Sequence, residues 1–100
     1  IDVYLAPALY DYVARLVAKT RENPAVSLGV SPRGALMLVQ AAKGRALLMG
    51  RDYCLPDDIL FLAPYVLAHR MLLNSDNEVA GRTSLDVLNE IIKSTPAPKQ

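Results

Sequence analysis

The sequence predicts a mainly all-α fold, a bundle of four helices joined by short connections, with room for one very short two-stranded β pairing. Three observations lead there. Apolar residues recur at helical spacing in separate stretches, Pro and Gly punctuate those stretches where helices start and stop, and only short pieces of chain read as extended. With 100 residues the chain makes one domain, residues 1–100, large enough to bury a core without disulfides or metals.

The segment Ile1–Ala6 runs extended into Pro7, where the first helix starts. Leu9, Val13, Leu16, Val17 and Thr20 share one face of it, and Asp11, Arg15 and Lys19 lie opposite. Asn23-Pro24 stops it, and Ala25–Val30, with Gly29 and no helical stripe, is a short connection. The second helix spans Pro32 to about Met49 and stops at Gly50, which fills the left-handed C-terminal position without strain. Its stripe is Ala35, Leu38, Val39, Ala42, Ala46 and Met49. Leu36, Met37 and Leu47 add apolar surface elsewhere, which predicts a central helix with several neighbours. Gly44 costs a helix interior roughly 1 kcal/mol against alanine, so a close neighbouring backbone is expected beside it, among the small residues Ala41, Ala42 and Ala46.

Arg51–Leu55 is extended, and Pro56-Asp57-Asp58 opens a third helix with acids at its positive end, although Leu55 is a poor cap. Ile59, Leu62, Ala63, Val66 and Leu67 carry its core face, and Pro64 predicts a kink or break before His69-Arg70. Met71–Leu73 is a candidate strand, with residues near Tyr53 and Cys54 as its partner. Asn74–Arg82, polar and containing Gly81, reads as an exposed loop. Thr83 and Asp86 resemble a capping box built with the shorter acid, and Leu85, Leu88, Ile91 and Ile92 define a last helix ending near Ser94. Residues 95–100 read as a frayed, proline-containing tail.

Composition narrows the function. Apolar residues make up 52% of the chain. The longest apolar run, Ile59–Ala68, is about half of a bilayer span and contains Pro64, so no membrane span is expected. The start, Ile1-Asp2-Val3-Tyr4, lacks both a methionine and a signal-peptide pattern, and reads as a piece cut from a longer chain. A single cysteine, Cys54, excludes an internal disulfide and suits a reducing cytoplasm. With His69 as the one histidine, no metal-ligand cluster is expected. The net charge is +1 with acids and bases interspersed, which is not the footprint of a dedicated nucleic-acid binder.

Self-sufficient catalysis is hard to build from these residues. There is no phosphate-loop motif, no nucleophile elbow, and no histidine motif around a nucleophile. Asp57 and Asp58 would project about 100° apart on a helix and are accounted for by dipole complementarity. Cys54 lacks an obvious base and reads as a small core residue; His69, beside Arg70 at a helix end, reads as a donor to terminal carbonyls. Tyr10, Tyr12 and Tyr53 read as rim-of-core aromatics.

Arg33 stands apart. Ser31 suits the N-cap, with its hydroxyl accepting from a free N–H, and Pro32 suits the first helical position. Arg33 therefore sits in the first turn, where a cation opposes the helix dipole by roughly 0.3–1 kcal/mol unless an anion lies between them. On local grounds alone, a guanidinium with its head in water is the simpler reading.

The ordered motifs shift that balance. Ser27-Leu28-Gly29-Val30-Ser31-Pro32-Arg33-Gly34, Gly50-Arg51-Asp52-Tyr53, Pro56-Asp57-Asp58-Ile59 and Val66-Leu67-Ala68-His69-Arg70 together resemble the C-terminal lid of MoxR-type AAA+ ATPases. Thr20–Pro24 and Gly81-Arg82-Thr83 extend the resemblance over nearly the whole chain. It implies a small helical lid folded over ATP and Mg held by a separate N-terminal α/β domain, in subunits of a hexameric ring acting on a client protein. By the same resemblance Arg33 is the sensor 2 residue, Ser31, Pro32 and Arg33 meet the nucleotide, and Arg51, Asp52, His69 and Arg70 are bundle staples or interface contacts. The fragment alone is expected to show no ATPase activity and to bind ATP weakly or not at all. Leu55 replaces the usual threonine cap, and Gly34 replaces a commoner alanine, which would loosen the first turn. A small helical nucleic-acid-binding module is the alternative, opposed by the apolar second helix; a protein-interaction bundle, with Arg33 on a partner's carboxylate, is another.

Overall fold

A computed structural model describes residues 2–99, so that Ile1 of the opening segment and Gln100 of the tail lie outside the described residues. Its helices are α1 (Pro7–Glu22), α2 (Pro32–Leu48), α3 (Pro56–Leu67), α4 (Ser75–Val79) and α5 (Ser84–Lys93), with a 3-10 turn at Ala68–Arg70. Strands β1 (Val26–Leu28) and β2 (Leu72–Leu73) form a two-stranded antiparallel sheet.

Helix α1 buries the face its spacing predicts, Leu9, Val13, Leu16, Val17 and Thr20. Tyr12 joins them and is fully buried rather than on a rim. Its hydroxyl donates to the Thr95 carbonyl at 3.0 Å, which anchors the start of the supposed tail. Thr95 is itself buried and donates its hydroxyl to the Ile91 carbonyl at 2.7 Å, so no fraying begins there. Thr20 lies on the apolar stripe with its hydroxyl fully used: it donates to the Val17 carbonyl at 2.6 Å and accepts from the Val30 N–H at 2.9 Å. That second bond fixes the residue just before the Ser31 cap.

Helix α2 packs against α1 and α3 through Leu38, Val39, Ala42 and Ala46. At its end Gly50 is left-handed (φ 80°), and the Arg51 N–H returns to the Ala46 carbonyl at 2.9 Å, closing the helix as the glycine signal predicts. Two expectations need correction. Leu36, Met37, Leu47, Leu48 and Met49 are exposed, so α2 has neighbours on one side only of its circumference. Gly44 meets nothing, since a Cβ there would find open space. The close approaches are at Gly29, where a Cβ would fall 2.7 Å from the Arg21 Cα, and at Gly34, where it would fall 2.3 Å from Val30 Cγ1. Gly34 therefore permits tight packing of the first turn rather than loosening it.

Helix α3 runs through Pro64 to Leu67 and gives way to the 3-10 turn at Ala68, so the expected break comes after the proline and not at it. The β partner is also corrected. Strand β2 pairs with β1, Val26 opposite Leu73 and Leu28 opposite Leu72, while Tyr53 is bridged in parallel by Tyr4. The Tyr4 N–H donates to the Asp52 carbonyl and the Cys54 N–H to the Tyr4 carbonyl, both at 2.8 Å. Within the supposed loop Asn74–Arg82, the Asn74 side chain accepts from the Asn77 N–H at 3.0 Å and caps the one-turn helix α4. Helix α5 opens on the expected reciprocal box: the Asp86 N–H donates to Thr83 Oγ1 at 3.1 Å and the Thr83 N–H to the Asp86 carboxylate at 2.9 Å. Hydrogen bonding from Thr83, its backbone N–H first, holds the Asp86 carboxyl below its usual range. Val87, Leu88 and Ile91 are buried, whereas Leu85 is exposed.

Candidate nucleotide-facing site

The two ends of α2 hold the chain's most informative polar groups. At the N-terminal end, Ser31 takes the extended N-cap conformation and Pro32 the first helical position. The Ser31 hydroxyl makes no capping bond, contrary to expectation; its backbone carbonyl accepts from the Gly34 N–H at 2.9 Å and the Ala35 N–H at 3.4 Å instead. The hydroxyl thus stays free for another partner. Arg33 is exposed and makes no ion pair with any described residue.

Beside this turn lies an open cavity of about 500 Å³ lined by Leu28, Gly29, Ser31, His69, Arg70 and Leu72. The 3-10 turn after α3 delivers His69 and Arg70 to it. Arg70 is half-buried, and its stem lies against the first turn of α2, with Cδ 3.4 Å from where a Cβ on Gly34 would be. Its Nε is buried without a hydrogen-bond partner. His69 is exposed and does not donate to the helix-terminal carbonyls as the sequence suggested. Every polar side chain lining this cavity can donate, and no carboxylate is among them. The arrangement suits the oxygens of an anion such as a phosphate. It offers no carboxylate ligand for Mg, and the described residues contain no group of three or more His, Cys, Asp or Glu able to hold a metal.

The C-terminal end is the reverse. Asp58, in the first turn of α3, is fully buried and accepts from Arg45 at 2.6 Å, from Arg51 through two bonds at 2.8 Å, and from the Leu55 N–H at 2.7 Å. Burial alone would push the Asp58 carboxyl up; the bonds from Arg51, Leu55 and Arg45 outweigh it and hold the pKa at about 2. The hydrogen bond to Asp58 raises that of Arg51 in turn. Asp58 therefore does more than complement a dipole: it accepts from the backbone N–H of Leu55, the half of a capping box that a leucine N-cap leaves possible, and clamps α2 to α3. Arg45 also lies 4.6 Å over the Phe61 ring. Asp57 and Asp52 are exposed and join none of this, and Arg51 reaches past Asp52 to Asp58. Nearby Cys54 is buried, and burial, aided by the Asp58 charge, pushes its thiol up, which disfavours a nucleophilic thiolate. Sequence spacing carries no signal for this cluster, because Arg45 and Asp58 meet only when α2 and α3 fold back on each other.

With this geometry in hand, the comparisons with known proteins identify the chain. The AAA lid domain family matches residues 18–91, and the chain belongs to that family. More narrowly, it is the lid of a MoxR-type AAA+ protein. It is 35% identical to Chaperone MoxR1 of Mycobacterium tuberculosis, over 92% of this chain and 27% of the relative. It is 37% identical to Protein MoxR of Methylorubrum extorquens, over 92% and 31% respectively. An uncharacterized Bacillus subtilis protein, YeaC, is 43% identical over 93% of the chain and 29% of its own length. A crystal structure of a Cytophaga hutchinsonii protein provisionally described as an ATPase superposes with a TM-score of 0.91 at 30% identity, over 98% of this chain and 32% of that one. The chain thus spans about 30% of the length of these relatives. Among the described residues no helix is long and apolar enough to cross a membrane.

Proposed function

We propose that this lid closes over ATP and Mg held by an N-terminal α/β domain of the same protein, that Arg33 is its sensor 2 residue, and that it relays nucleotide state to neighbouring subunits of a ring. The observation that carries the reading is Arg33 in the first turn of α2, without an ion pair among the described residues, next to a cavity whose polar side chains can all donate and include no carboxylate. ATP, held with Mg by the α/β domain, would supply the γ-phosphoryl group, and its transfer would shift charge among the phosphate oxygens that face the lid.

The chain's own residues then have distinct tasks. Arg33 presents a planar guanidinium that donates to phosphate oxygens. A donor already in place as charge builds up lowers the barrier, because nothing has to reorganise during the reaction. The Ser31 hydroxyl, free of capping duty, can donate beside it. The Thr20 to Val30 bond and the tight seat of Gly34 set the direction of the turn, so the backbone that carries Arg33 moves with the lid. Loss of the phosphate contact then frees a rigid body to rotate, which is a known means of passing a switch to a neighbour. The phosphate-loop machinery has no counterpart in this chain, so the isolated lid has no hydrolytic activity in this reading.

The test is Arg33→Ala in the full-length protein. The expected result is a loss of ATP turnover of about 10²-fold, the scale of removing one preorganised transition-state donor, with the lid's thermal midpoint not lowered. Normal turnover in that variant would remove the sensor role, and turnover by the pure 100-residue chain would overturn the lid's dependence on the α/β domain.

A further inference from the structure

We propose that Arg70 is a second phosphate-contacting residue, extending the anion site from Arg33 into the neighbouring cavity so that the lid grips the phosphate chain of the nucleotide through two cations. The proposal rests on the nucleotide-facing reading of α2 but on different observations. Arg70 belongs to the turn that follows α3 and not to α2. Its stem is pressed along Gly34, where even one added carbon would be in contact with it, so the guanidinium is carried to the first turn of α2 by packing. A buried guanidinium N–H without a partner is costly, and the Arg70 Nε is the one buried side-chain polar atom left without a partner among the described residues. No acidic residue compensates: the ion pairs of the described residues involve Arg15, Arg45, Arg51 and Arg82, and neither Arg33 nor Arg70. Two arginines without an acidic partner among the described residues and a positive helix end thus meet at one turn, which favours an anion there. The Ser31 hydroxyl and the His69 ring line the same cavity and add donors. A chain of linked phosphates, with oxygens spread over several ångströms, can reach more of these donors at once than a single small anion.

The test uses the 100-residue chain, with inorganic tripolyphosphate as the probe and sulfate at matched ionic strength as the control. NMR follows the Arg70 Nε–H and the backbone amides from Gly29 to Gly34. Tripolyphosphate should shift both sets saturably and more tightly than sulfate. Arg70→Gln should weaken that binding about tenfold, the effect of one charge-assisted hydrogen bond, and Arg70→Lys should recover part of it, with amide shifts in α5 unchanged as evidence of an intact fold. An Arg70 Nε–H that does not respond, equal response to sulfate, or unaltered binding by a folded Arg70→Gln variant would each overturn the proposal. Those outcomes leave the Arg33 reading intact, because turnover of the full-length Arg33→Ala variant decides that separately.

Discussion

The two ends of α2 carry the same residue type in opposite circumstances. At the C-terminal end, Arg45 and Arg51 close on a fully buried carboxylate, and both cations lie where the helix dipole favours them. At the N-terminal end, Arg33 and Arg70 have no acidic partner among the described residues, and Arg33 lies where the dipole of α2 opposes it. The first arrangement is complete within the chain and therefore structural. The second has no such partner among the described residues, and it is the end at which we propose binding.

Removing the shared carboxylate should break the structural end most severely. Asp58→Asn leaves two arginines facing each other without an anion and should cost about 3–5 kcal/mol, a fall in thermal midpoint of at least about 12 °C by circular dichroism. A loss under a few degrees would mean that the cluster does not clamp α2 to α3. Acid should work through the same group. The Asp58 pKa is about 2 in the folded chain, below its ordinary 3.8, so the stability it contributes is present above that ordinary value and lost as pH falls toward 2. The size is about 2–3 kcal/mol, measurable by urea unfolding at pH 6 and pH 2.5, and Asp58→Asn should remove that part of the slope.

The two glycines of α2 sharpen the contrast at a smaller scale. Gly34→Ala forces a Cβ against Val30 and should destabilise the chain by about 1–2 kcal/mol net of improved helix propensity. Gly44→Ala, in open space, should stabilise it by about 0.5–1 kcal/mol. Equal signs in denaturant melts would contradict the packing described for the first turn. The smallest effect has the most telling sign: Arg33→Ala in the lid alone should raise stability by about 0.3–1 kcal/mol at low salt, while the same change impairs turnover in the full-length protein. A structural arginine would lower both.

Much of the fold was legible because its signals are local. Pro7, Pro32 and Pro56 start helices, Asn23-Pro24 and Gly50 stop them, and Thr83 with Asp86 forms its box, since each needs only neighbours within a turn. Helix α4 escaped notice because a single polar turn has no apolar stripe. The partner of β2 was misplaced because a two-residue strand carries no register information. The site was half legible: Arg33 stood out as a cation at the wrong end of a helix, but nothing in His69-Arg70 revealed that its arginine would reach the same turn.

By itself, the sequence determined where helices begin and end, which faces of α1 and α5 turn inward, and which family's ordered motifs the chain carries. Only the tertiary structure decided which arginines are satisfied. Whether a guanidinium meets a carboxylate depends on helices brought together from distant parts of the chain. Asp58 waits for Arg45 across the fold, while Arg33 and Arg70 are left without a partner among the described residues.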